Sequence, residues 1–140
     1  MLTTLEAERS VATFFVVGEH VRGHEPLLRR MWRDGDALGN HSFSHVDLAR
    51  DGRVADRELA ETNALVGQVT GYAPCLFRAP FGDVSPALIA DAHSQGLMTI
   101  GWNVDPRDWA LPGVRAMFGL RRHAAVSRRA LRSTDRPTAA

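Results

Sequence analysis

The run Ala12-Thr13-Phe14-Phe15-Val16-Val17-Gly18 carries no charge and is dense in β-branched and aromatic side chains. Without polar alternation it reads as a fully buried central strand, one that must be covered on both faces. Segments of helical period follow it. His24 to Arg33 sets Leu27, Leu28, Met31 and Trp32 on one face and stops at Asp34-Gly35, which places Trp32 in the core. Val54 to Val69 repeats the pattern through Leu59, Leu65, Val66 and Val69, with Gly71 as its stop. Ser85 as N-cap and Pro86 in the first turn open a third helix through Ala87, Leu88 and Ala92. Between these lie two short apolar runs, Cys75-Leu76-Phe77 and Leu97 to Ile100, that read as strands; Cys75 is expected to be buried there. Strands alternating with helices predict an α/β protein with a parallel sheet. His20, His24 and His93 fall on the helical segments and read as surface or capping residues.

Chemistry-bearing residues cluster between the regular segments. His41 and His45, in Asn40-His41-Ser42-Phe43-Ser44-His45, are one helical turn apart. Two imidazoles at that spacing can hold one divalent cation, and neutral ring nitrogen suits zinc, cobalt, nickel or iron better than magnesium or calcium. The spacing alone also fits a coincidence of surface or core histidines. Phe77-Arg78-Ala79-Pro80-Phe81-Gly82 closes an apolar strand with a tight turn. Its backbone N–H groups could meet an oxyanion, and Arg78 could fork onto a carboxylate, or the turn could be structural. Gly101-Trp102-Asn103-Val104-Asp105-Pro106-Arg107-Asp108-Trp109 follows the next strand. Two carboxylates beside a Trp can orient a His and wall an apolar pocket, or form a capped loop with a packing Trp.

In their order and spacing these stretches resemble the polysaccharide deacetylases, the NodB-homology or family-four carbohydrate esterases. Ala12 to Glu19 matches the second barrel strand and its turn, and His41 to His45 matches H-S/T-x-x-H. Arg78 to Gly82 matches R-x-P-x-G, and Asp105 to Trp109 matches D-x-x-D-W. The resemblance runs from Ala12 to about Pro112. It implies a partial (β/α) barrel of the deacetylase type, lacking the first strand and the last ones. It implies metal-dependent removal of N-acetyl groups from sugars such as chitin oligomers or peptidoglycan. His41 and His45 map to metal ligands for zinc, with cobalt or nickel as substitutes. Arg78 maps to the residue that orients the base, and Asp108 to the partner of the acid histidine. Phe81 lines the oxyanion turn through its backbone, and Trp109 walls the acetate pocket.

The sequence also departs from that pattern. The family's T-F-D-D-G-P segment, with the base Asp and the third metal ligand, has no counterpart, and Leu2 to Glu8 reads as the remainder of a first helix. Nor is there an L-L-H-D segment with the acid histidine; His123 follows no apolar strand and does not replace it. Little or no turnover is therefore expected. A non-catalytic glycan-binding module or a truncated gene product are the alternative readings, the second with exposed strand edges prone to association.

Charge divides the 140 residues near position 113. Met1–Ala110 holds ten Arg against fifteen Asp or Glu, a balance of −5, whereas Leu111–Ala140 holds seven Arg and only Asp135, giving +6. The expected organisation is a partial deacetylase domain over 1–113 and a basic tail over 114–140. Such a shift is what a change of reading frame in a GC-rich gene produces, or else a tail for an anionic partner. An overall +1 argues against a dedicated nucleic-acid binder. One cysteine excludes an internal disulfide and a cysteine zinc site. No apolar stretch approaches the ~20 residues needed to span a bilayer, and none reads as a signal peptide. Relatives of this kind are often secreted or envelope-associated, so location stays open. The expected partner is an N-acetylated polysaccharide or oligosaccharide.

Overall fold

A computed structural model describes residues 1–105 and 110. The chain divides into two compact units, Met1–Gly101 and Trp102–Ala140. All described regular elements lie in the first, and residues 102–105 of the second are irregular chain. Within the first unit the order is α1 (Leu2–Ala7), β1 (Thr13–Val16), α2 (Glu25–Arg33), β2 (Ala37–Asn40), α3 (Gly52–Thr70), β3 (Leu76–Phe77), α4 (Pro86–Ser94) and β4 (Met98–Thr99). Each strand pairs parallel with the next, giving a sheet of order β1-β2-β3-β4. A helix covers every crossover. Winding in one direction without reversal is the arrangement of a (β/α) barrel wall, not of a doubly wound sheet. The α/β class expected from the alternation is the observed one.

Local chemistry sets the element ends. Asp51 caps α3 by accepting from the N–H groups of Arg53 and Val54, and Gly71 ends it in the left-handed region at φ 75°. Ser85 accepts from the Leu88 N–H at the start of α4, with Pro86 in its first turn. Two apolar clusters lie between helices and sheet. Leu48, Ala55, Leu59, Phe77, Leu88 and Leu97 join α3 and α4 to β3 and β4. Val21, Leu28, Leu38 and Val66 form the other, with Phe14, Val16 and Met31 partly buried against it.

Three expectations need correction. The strand β1 is not central: among the described residues it forms one edge of the sheet, and its residues are at best partly covered. An apolar groove of about 510 Å³, lined by Phe14, Val16, Leu27 and Met31 among others, runs along that open flank. Trp32 is not core. It lies past the buried stripe of α2, is 40% exposed, and stacks on Tyr72 with ring centroids 4.4 Å apart. Cys75 precedes β3 and is exposed, its sulfur 3.1 Å from the Tyr72 hydroxyl, because the strand begins only at Leu76. Besides these, β2 is a strand for which no expectation arose from the sequence, since Ala-Leu-Gly-Asn contains one large apolar side chain. His20, His24 and His93 are exposed as expected.

Candidate metal centre

His41 follows directly from β2, at the C-terminal end of the sheet, where parallel α/β folds carry their chemistry. The spacing suggests a helical turn for His41 to His45, but the segment is a loop. Ser42 and His45 both take left-handed backbone, at φ 64° and 57°. Residues other than glycine rarely adopt this without being held there. Here the holding is dense. The His45 N–H donates to Ser42 Oγ at 2.9 Å, and the Ser42 N–H to Asn40 Oδ1 at 2.9 Å. Gly18 and Glu19, on the turn after β1, donate their N–H groups to the carbonyls of Ser42 and Phe43. A side chain at position 18 would not fit, because a Cβ there would stand 2.6 Å from the Phe43 ring.

The loop brings the two imidazoles together, with centroids 4.9 Å apart and planes at 74°. His41 Nδ1 lies 2.7 Å from the Arg78 carbonyl oxygen, so Nδ1 carries the proton and donates. In a neutral ring Nε2 then keeps its lone pair. Holding one nitrogen on a carbonyl is the usual way a ligating histidine is oriented. Burial of His41 pushes its pKa below the ordinary 6.5, helped by the nearby His45 and Arg78; the Arg78 carbonyl works against this. The folded state therefore favours the neutral ring. On acidification the unfolded chain takes up this proton first, at about 6.5, so His41's contribution to stability is complete above that pH and is lost as pH falls from there through the lower value of the folded state. Denaturant melts over about pH 5 to 8 are expected to lose stability on the acid side, less steeply in His41→Asn.

Arg78 and Phe81 border the pair. Phe81 sits at φ 60° in the turn Pro80–Gly82, is 67% exposed, and meets His45 ring to edge at 4.9 Å. The Arg78 guanidinium lies 4.0 Å over the Phe15 ring and donates to the Gly101 carbonyl at 3.0 Å. Gly39 permits that stack, because a Cβ on it would stand 2.6 Å from the Phe15 ring. Thus His41, His45, Arg78 and Phe81 converge, whereas Asp108 and Trp109, His123 and the basic tail lie outside the described residues. Asp47, a conceivable third donor, is engaged with the Ala49 N–H and the Arg50 guanidinium instead. Among the described residues no group of three His, Cys, Asp or Glu forms a metal cage. The pair therefore supplies two nitrogen donors of the kind zinc or cobalt prefers, an incomplete but suitable set.

Sequence reasoning missed two residues behind the loop. Asn40 is fully buried and Glu58 half-buried, and both bind the segment between the histidines. Glu58 could have been noticed, since it interrupts the otherwise uncharged inner face of α3 at Ala55, Leu59, Thr62 and Val66.

The polysaccharide deacetylase profile matches residues 1–100. This chain belongs to the polysaccharide deacetylase family. A chitooligosaccharide deacetylase of Bradyrhizobium sp. (strain ANU 289) is 38% identical over 116 residues, spanning 81% of this chain and 53% of that protein. A family-four pseudoenzyme from Bacillus anthracis has the same fold at TM-score 0.83 and 23% identity, over 88% of this chain and 44% of that one. A family 4 acetyl xylan esterase from Clostridium thermocellum, solved with a cobalt ion, superposes at TM-score 0.77 and 30% identity, over 88% and 58% of the two chains. The chain spans about half the length of the curated relatives that it matches. The family's parallel α/β fold is present, and what is described is a partial barrel.

Proposed function

We propose that residues 1 to about 113 are the metal-bearing part of a deacetylase that removes N-acetyl groups from chitooligosaccharide- or peptidoglycan-like sugars, with turnover impaired in this chain taken alone. The observation that carries this is the convergence of two imidazoles, one with its Nδ1 proton already committed to a backbone carbonyl. His41 through Nε2, together with His45, would hold a zinc-type cation; the esterase solved with cobalt supports that ion class. Such a cation polarises a carbonyl and eases deprotonation of water. The chain's own residues bind and orient. The Arg78 carbonyl fixes the His41 ring, and the exposed Phe81 offers an apolar edge to a sugar or its acetyl group. By family resemblance Asp108 would brace an acid histidine and Trp109 would wall the acetate pocket. Impairment follows from having only two metal donors among the described residues and no matched base.

Acetate release from an N-acetylated chitooligosaccharide, with added zinc or cobalt and with a chelator, tests the reading. Measurable metal uptake with turnover far below that of a full-length relative is expected. Turnover equal to that relative refutes the impairment, and absence of metal uptake refutes the centre. The exposed Phe81 beside His45 favours a second reading, a glycan-binding module without hydrolysis. Chitooligosaccharide binding that persists in chelator distinguishes it.

A further inference from the structure

We infer that Glu58 is a positioning residue of the metal centre, a role that rests on the two-histidine reading above. Its carboxylate reaches from α3 into the middle of the histidine loop. Oε2 accepts from the N–H groups of Phe43 at 2.8 Å and Ser44 at 2.7 Å, and Oε1 accepts from the Ser44 hydroxyl at 2.7 Å. Two consecutive backbone N–H groups after a left-handed residue make a small concavity that attracts an anion. Ser42, at φ 64°, provides that geometry and Glu58 fills it. The opposite side of the loop is held by the Gly18 and Glu19 N–H groups on the carbonyls of Ser42 and Phe43. Residues 42 to 44 are thus gripped from two sides, and they are the only link between His41 and His45.

The consequence is geometric. Charge-assisted bonds are about twice as strong as neutral ones, so the carboxylate offsets the strain of the left-handed backbone. Without it the chain between the histidines can relax, and the rings lose their shared aim. A Glu on this flank of α3 serves no helix-packing purpose, since Ala55, Leu59, Thr62 and Val66 already bury the face. Glu61, one turn on, pairs instead with Arg57 at 2.9 Å and leaves the loop untouched.

The test uses the full chain as wild type, Glu58→Ala, Glu58→Gln and, as control, Glu61→Ala. Amide hydrogen exchange is read at Phe43 and Ser44 without metal, and zinc affinity is read by calorimetry well below the melting temperature. Glu58→Ala is expected to lose protection at both amides and to weaken zinc binding by about tenfold or more. Glu58→Gln, whose neutral amide oxygen can still accept both N–H groups but without the charge, is expected to restore part of each; Glu61→Ala is expected to change neither. Wild-type zinc affinity in Glu58→Ala, unchanged protection there, or an equal loss in Glu61→Ala overturns the inference. Failure of the wild-type chain to take up zinc overturns the metal centre itself, and is seen before any variant is compared.

Discussion

Replacing His41 with alanine is expected to weaken cobalt or zinc binding by at least about a hundredfold, more than the loss of a ligand-orienting partner costs. With two nitrogen donors among the described residues, removing one leaves a single imidazole, which no longer selects a cation from water. His41 is the more decisive of the two because it is the oriented one, with Nδ1 committed to the Arg78 carbonyl. A visible-absorption titration with cobalt reads the change directly, since the ligand field reports the number of nitrogen donors. His93→Ala, which removes an exposed histidine from α4, is expected to titrate like the wild type. Binding should also weaken on acidification, because protons compete for the same nitrogens. Equal cobalt affinity in His41→Ala and the wild type refutes the site.

Asn40→Ala is expected to give the largest loss of stability, about 2–4 kcal/mol. The side chain is fully buried at the end of β2 and spends its whole amide on three partners. Nδ2 donates to the Leu59 carbonyl at 2.9 Å and to Asn63 Oδ1 at 2.8 Å, while Oδ1 accepts from the Ser42 N–H. Alanine orphans a buried N–H at the entry to the histidine loop and leaves a void between β2 and α3. In a domain of this size each kcal/mol lowers Tm by roughly 4–8 °C. Thermal melts by circular dichroism check the figure, and metal affinity should fall with it, since Asn40 sets where the loop begins. Asn40→Asp keeps the shape but turns a carboxylate toward two oxygens. It is therefore expected to be tolerated better in acid, where the group takes up a proton and can donate. A melt unchanged by Asn40→Ala means that the buried amide is not what ties β2 to α3.

Much of the fold was legible because helices announce themselves by local rules. The apolar period of α2 and α3, the Ser85 cap and the Gly71 stop all act within a few residues, and each lies where the pattern put it. Strand β2 was not legible: its four residues are strand because β1 and β3 flank them, not through any preference of Ala-Leu-Gly-Asn. The charge-free run of β1 signals a need for burial on both faces but cannot say what covers it. In the described sheet it remains an edge beside an open apolar groove. Trp32 and Cys75 misled for a related reason, since an apolar side chain near the end of an element can fall just outside the layer that the element buries.

The order of the motifs, the parallel α/β class, the helix boundaries and membership of the deacetylase family were all decided by the amino-acid sequence, since each depends on residue type and spacing along the chain. The shape of the metal centre was not. That His41 and His45 meet across a loop rather than along a helix depends on hydrogen bonds with Gly18, which donates, and with the Glu58 carboxylate and the Arg78 carbonyl, which accept; all three lie on other elements, far from the pair in sequence. A left-handed backbone that costs free energy in isolation persists only where distant groups hold it. Those groups become neighbours only when the strands and α3 pack together.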